Sequence, residues 1–130
     1  MRTTLEDPIL EAWEATRARN HDQVAIVNVD GKVVRTFSQI EERAGHFARQ
    51  LETIAPRQVF AIQIGNHPDW PSLFLACLRK QLVVLPLEQT ISDEQKQSAF
   101  QICHVVATAF SDGRDVQILP PGTAAATLQI

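Results

Sequence analysis

Between Val59 and Ala109 the chain repeats one pattern: a short apolar run, a helix-length segment, then another apolar run. Val59-Phe60-Ala61-Ile62-Gln63-Ile64 is almost continuously apolar and stops at Gly65, as expected of a strand buried on both faces. A helix is expected from about Pro68 to Lys80, followed by Leu82-Val83-Val84-Leu85 as a second buried strand. Ser92, Asp93, Glu94 and Gln95 supply a capping box for a helix running to about Cys103, and Val105-Val106-Ala107-Thr108-Ala109 is a third strand. Strands separated by helices need crossover connections, which are right-handed in nearly all cases. The segment therefore reads as a βαβαβ parallel sheet with helices on its faces, and the chain as α/β.

The helix after Pro68 is apolar almost all round (Trp70, Leu73, Phe74, Leu75, Ala76, Cys77, Leu78), so other elements should enclose it. Upstream, Asp7 is a capping acceptor and Pro8 occupies a first-turn position where a missing N–H costs nothing. Ile9, Ala12, Trp13 and Thr16 form one stripe of that first helix. Two apolar runs, Val24 to Val29 and Lys32 to Phe37, flank Asp30-Gly31, which predicts a hairpin with a two-residue turn. Thr36 with Gln39 makes a capping box, and Ser38 with Glu41 offers the same device two residues later. In the helix that follows, Phe37, Ile40, Ala44, Phe47, Ala48 and Leu51 share one face. Glu41, Glu42, Arg43, His46 and Arg49 are expected to point away from it.

Residues 1–130 fit a single domain, large enough to bury roughly two thirds of its unfolded surface. Within it, Ser111-Asp112-Gly113 is a turn, Val116 to Leu119 a short strand, and Pro120-Pro121-Gly122 a break. Residues 110–130 are expected to form a poorly packed tail. Leu128-Gln129-Ile130 reads as the start of a further strand rather than a finished terminus.

A formal net charge of -3 without any basic run argues against nucleic acid or an anionic membrane as partner. No segment approaches the roughly 20 apolar residues of a membrane span. The N-terminus lacks the apolar stretch of a signal peptide, so the expected location is the cytoplasm. Cys77 and Cys103 could pair on paper, but two reduced thiols in apolar helical patterns are the expectation.

The search for chemistry yields one local candidate. Glycines at 31, 45, 65, 113 and 122 form neither a Walker-type loop nor a dinucleotide fingerprint. None of the histidines (His21, His46, His67, His104) pairs with Cys or a carboxylate at convincing metal-ligand spacing. His46 is expected to be solvated, and His104 to open the third strand and accept a hydrogen bond. The serines include no Gly-x-Ser-x-Gly turn, and Asp69, Glu88 and Asp93 are explained by helix capping as well as by catalysis. What remains is the turn Gly65-Asn66-His67-Pro68-Asp69 after the first parallel strand. Ligands in open α/β sheets bind beyond the carboxyl ends of the strands, which puts Asn66, His67 and Asp69 at a strand-end loop where they could meet one. The competing reading is that Asn66 or His67 simply caps the helix beginning at Pro68.

The order of the segments carries more than any single residue. Gln23-Val24-Ala25-Ile26-Val27, Asp30-Gly31-Lys32 and Thr36-Phe37-Ser38-Gln39-Ile40 resemble the opening of the adenylate-forming superfamily, in which Thr-Tyr-x-Glu-Leu is the first core motif. Val59 to Trp70 is similar to the family's buried strand and its Pro-Asn-Ser-x-Glu-Phe turn. Leu75 to Glu88 is similar to its second core motif, Lys-Ala-Gly-Ala-x-Tyr-Val-Pro-Leu-Asp. The family's Gly-x-x-x-Gly-Asp is reduced to Ala55-Pro56-Arg57-Gln58, and Glu88 stands for its Asp.

The resemblance, spanning roughly Val24 to Ala109, implies an incomplete first subdomain of the large domain of an acyl-CoA synthetase-like enzyme. Such ligases use ATP and magnesium to turn a carboxylate into an acyl-adenylate, then pass the acyl group to a thiol. The family's phosphate loop, ribose-binding aspartate and catalytic lysine match no position here, so no catalytic, cofactor-binding or metal residue is carried over. The expected partner is the remainder of the ligase, with self-association through apolar surface left uncovered. A standalone α/β binding or interaction module is the alternative, and a small enzyme centred on Asn66, His67 and Asp69 a third.

Overall fold

The structure is a computed structural model and describes residues 7–119. In chain order it contains α1 (Pro8–Arg19), β1 (Val24–Val27), β2 (Val33–Thr36), α2 (Phe37–Gln50), β3 (Val59–Gln63), α3 (Trp70–Arg79), β4 (Val83–Pro86), α4 (Asp93–Cys103), β5 (Val105–Ser111) and β6 (Val116–Leu119). β1 and β2 form a separate antiparallel ribbon, and the main sheet has the order β4-β3-β5-β6. β3 runs parallel to both neighbours, with Phe60 opposite Val84 on one side and Ala107 on the other. The expected βαβαβ unit is therefore present, extended at one edge by β6, which pairs antiparallel with β5.

The central place of β3 follows from its sequence. Phe60, Ile62 and Ile64 pack with Phe47 and Leu51 of the α2 segment and with Leu73, Ala76 and Cys77 of α3. Ala61, pointing the other way, meets Phe100 of α4. α3 and α4 thus cover opposite faces, and a strand without a polar face is what such a sandwich requires. Each large side chain buried here contributes roughly 2 kcal/mol of transfer free energy. α3 is enclosed as its composition demands, burying Ser72, Leu73, Leu75, Ala76 and Cys77.

Helix starts follow the capping chemistry. Asp7 Oδ1 accepts from the N–H groups of Ile9 and Leu10. Of the two boxes offered near α2, Thr36–Gln39 forms with both reciprocal bonds, because Thr36 is the last residue of β2 and still extended. At α4 only the forward bond, Gln95 N–H to Ser92 Oγ, is made.

Several expectations need correction. Among the described residues β4 is an edge strand rather than a buried one: it pairs there only with β3, Val83 is 50% exposed, and Pro86, which cannot donate to a ladder, closes it. The β1–β2 connection is wider than two residues, because Asn28 closes it, its Oδ1 accepting from the N–H groups of Asp30 and Lys32 while Gly31 takes φ 81°. α3 starts two residues later than expected, after a turn. His104 does not open β5; it is the left-handed cap of α4 (φ 56°), reversing the chain in one residue. His46 is half-buried against the edge of the Phe47 ring and lies 2.8 Å from Gln50 Nε2. Of the tail expected from 110, Phe110 and Ser111 complete β5 and 116–119 form β6. Pro120-Pro121-Gly122 and Leu128-Gln129-Ile130 lie outside the described residues.

Candidate functional site

At the carboxyl end of β3 the chain must leave the sheet and enter α3 within a few residues. Gly65 makes the first bend at φ 61°, a conformation that costs other residues about 1 kcal/mol. The turn then closes through His67 N–H to the Ile64 carbonyl (3.2 Å) and Trp70 N–H to the His67 carbonyl (3.0 Å). This is the strand-end loop singled out in the sequence. It borders a shallow depression together with Ile26, Trp70 and Pro71.

His67 and Asp69 are brought together; Asn66 is exposed beside them. His67 Nδ1 accepts from the Asp69 N–H at 3.0 Å, and its Nε2 lies 2.9 Å from the Arg114 carbonyl in the β5–β6 connection. The first of these bonds braces the turn that precedes α3; it does not cap the helix, whose N-cap is Asp69. Asp69 makes no capping bond of its own. Its carboxylate, 4% exposed, is held by Arg35 Nη2 on Oδ1 and Arg43 Nη2 on Oδ2, each at 3.0 Å. Burial pushes the Asp69 carboxyl up, but the hydrogen bonds and charges of Arg43 and Arg35 outweigh it and hold the group below its ordinary range. A carboxylate with both oxygens occupied by guanidinium is a poor proton acceptor and a good structural counter-ion.

Arg35 and Arg43 were not legible as site residues. Arg43 lies next to the buried stripe of α2, with Cζ 4.9 Å from the Phe47 ring centroid, and only the fold brings it to a residue 26 positions later. Glu41, also expected to face away, gathers a second network. It accepts from Trp13 Nε1 at 2.9 Å and Arg79 Nη2 at 2.7 Å, with Arg17 Nε at 3.7 Å. Burial raises the Glu41 carboxyl, and Arg79, Trp13 and Arg17 together bring it below its ordinary range.

On the α4 face an open cleft of about 300 Å³ lies against the ends of β3 and β5. Gln63, Thr108 and Phe110 form its floor and Lys96 and Phe100 one wall. Gln63 spends its amide on the Glu88 carbonyl (3.0 Å), and Thr108 Oγ1 donates to the Ala61 carbonyl (3.2 Å). These are bonds that hold the sheet and its loops together. Among the described residues no three His, Cys, Asp or Glu side chains could hold a metal ion, and no helix is long and apolar enough to cross a membrane. Asp69 and Glu41 are both committed to arginines.

A family model described as AMP-binding enzyme matches residues 13–122. No match emerges among curated proteins. Among solved structures, the chain is similar to the N-terminal subdomain of NpsA from Klebsiella oxytoca, at 16% identity and TM-score 0.71, covering 93% of this chain and 32% of that one. It is similar also to a benzoate CoA ligase from Burkholderia xenovorans LB400, at 19% identity and TM-score 0.66, over 76% of this chain and 20% of that one. An artificially fused NpsA–ThdA adenylation–PCP di-domain from Klebsiella oxytoca gives 16% identity and TM-score 0.72, over 93% and 23%. At these identities the likeness is one of fold, and the chain spans about a third or less of each of these structures.

Proposed function

Because the chain belongs to the AMP-binding enzyme family and folds as an N-terminal part of the adenylate-forming superfamily, we propose that it is a structural segment of an AMP-forming carboxylate ligase. In this reading the ligase is acyl-CoA synthetase-like and cytoplasmic. ATP and magnesium activate a carboxylate as its adenylate, and a thiol then takes the acyl group. The 130 residues carry none of the catalytic groups for those steps. Their role is to present a rigid sheet and its strand-end loops to the remainder of the enzyme, the partner that supplies the chemistry.

The observation carrying this reading is the family match over residues 13–122 combined with the commitments of the buried acids. Asp69 and Glu41 are the acids whose carboxyls sit below their ordinary range through arginine contacts, and both bind elements to one another rather than facing a reactant.

The test is carboxylate-dependent ATP–pyrophosphate exchange over a panel of aryl and alkyl acids. The purified 130-residue chain is expected to give none, and the full product of its gene is expected to give it. Exchange by the 130 residues alone refutes the structural role. A reading frame closed directly after the codon for Ile130, or a full product without exchange, refutes the ligase assignment.

A further inference from the structure

His67 bonds through both ring nitrogens, and its partners belong to two different loops. We propose that neutral His67 is a pH-sensitive clasp that fastens the β5–β6 connection onto the turn between β3 and α3 and lets it go on protonation. The hydrogen bonds fix the tautomer. Nδ1 faces the Asp69 N–H and must be an acceptor, so the ring proton sits on Nε2 and is donated to the Arg114 carbonyl. One imidazole thus joins residues 47 positions apart, at the carboxyl edge of the sheet.

A second ring proton is incompatible with this arrangement. Protonated Nδ1 would point a donor at the Asp69 N–H 3.0 Å away, so that bond becomes a donor–donor contact. The nearby carboxylate is a weak lure for the new charge. Asp69 Oδ2 is 3.9 Å from Nδ1 but already carries Arg43, and Oδ1 carries Arg35, so imidazolium would be a third cation on one anion. From the hairpin side, Asp112 spends Oδ1 on the N–H groups of Arg114 and Asp115, leaving that oxygen committed within its own loop. The protonated ring therefore swings off the Asp69 amide, and the Arg114 carbonyl loses a donor held in place by the other bond.

The clasp gives the loop a reason to be ordered. Residues 112–115 are exposed, and the connection is otherwise held by its own short-range bonds. Loosening it changes access to the carboxyl edge, whereas the buried cluster around Phe47, Phe60 and Leu73 is held by its own packing.

The test is an NMR pH titration of the 15N-labelled 130-residue chain and of two variants, His67→Gln and His67→Phe, with the Ile62 and Leu73 methyl shifts as the check of folding. At neutral to alkaline pH the ring nitrogens of His67 are expected to report the Nε2–H tautomer. On acidification the Arg114 and Asp115 amides should move with the same midpoint as the His67 ring. Protection of the Asp69 amide should fall about fivefold, the equivalent of one net hydrogen bond. His67→Gln, whose amide can both accept and donate at similar separation, should keep the protection and lose the pH dependence. His67→Phe should lack the protection at every pH. An Nδ1–H tautomer, hairpin shifts that ignore the His67 titration, or the same titration persisting in His67→Phe would each overturn the clasp.

Discussion

Arg43 Nη2 lies 3.0 Å from Asp69 Oδ2, tying a side chain on α2 to the turn that starts α3. Arg35 reaches the other oxygen from β2, so three elements that are distant in sequence converge on one carboxylate. Asp69 is nearly inaccessible, whereas the guanidinium groups keep part of their hydration. The cost of breaking the cluster should therefore depend strongly on which member is removed.

Asp69→Ala leaves two guanidinium groups without their counter-ion, and removing one partner of a buried pair typically costs about 3 kcal/mol or more. Arg35→Ala or Arg43→Ala leaves Asp69 one partner, so each should cost about 1 kcal/mol. Urea unfolding of the three variants checks the order. A loss for Asp69→Ala no larger than for either arginine variant would show that the carboxylate is better solvated than its 4% exposure indicates.

Acid should weaken the fold through the same carboxylates. Asp69 and Glu41 both sit below their ordinary values of 3.8 and 4.5. A depressed folded-state value contributes stability that is fully present above the unfolded-state value and is lost as pH falls through the folded one. The contribution of these two carboxylates is thus expected to hold from pH 7 to about 5 and to decline steadily below pH 4.5. In Asp69→Asn combined with Glu41→Gln, the decline between pH 4.5 and 2 should be visibly shallower by thermal unfolding. An unchanged slope would assign acid sensitivity to other groups.

These two networks also mark where sequence reading stopped. The continuous apolar run of β3, the 3.6-residue periodicity of α2 and the all-round apolar composition of α3 placed these elements, because apolar side chains must face a core whatever their partners are. The Thr36–Gln39 box and the Asp7-Pro8 start were readable because capping is local. Arg43, Arg35 and Glu41 were not. A charged residue beside an apolar stripe looks solvated in sequence, and only the packing of α2 on α3 decides that it is not. The edge position of β4 was hidden for a similar reason: Leu82-Val83-Val84-Leu85 is apolar enough for either place, and strand order is set by crossovers rather than by the strand. His67 was found by position at the strand end, but its partner Arg114 is supplied by a hairpin far along the chain.

The two thiols should differ sharply in reactivity. Both are free, with Cys77 fully buried in the core and Cys103 partly accessible near the end of α4. Burial pushes the Cys77 thiol up to about 12, so at pH 8 it is neutral as well as hidden. A thiol reagent at that pH should modify one site quickly and the second only at the rate of unfolding, with Cys103→Ser removing the fast phase. Equal rates for both thiols in native conditions would mean that α3 opens far more readily than its packing implies.

Gly65 offers the last prediction, because two physical effects there can be separated. A Cβ on this residue would lie 2.4 Å from Gln89 Oε1 and 2.8 Å from its Cδ, so Gln89 must move. Gln89 is exposed and flexible, which makes that displacement cheap. The backbone at φ 61° is not flexible in the same sense: it penalises Ala by about 1 kcal/mol but tolerates Asn well. Gly65→Ala should therefore cost about 1 kcal/mol, and adding Gln89→Ala should recover little of it, whereas Gly65→Asn with Gln89→Ala should approach the stability of Gln89→Ala alone. Full rescue of Gly65→Ala by Gln89→Ala in urea unfolding would reverse the assignment. The side chain after β4, rather than the left-handed turn after β3, would then be the rigid element at this end of the sheet.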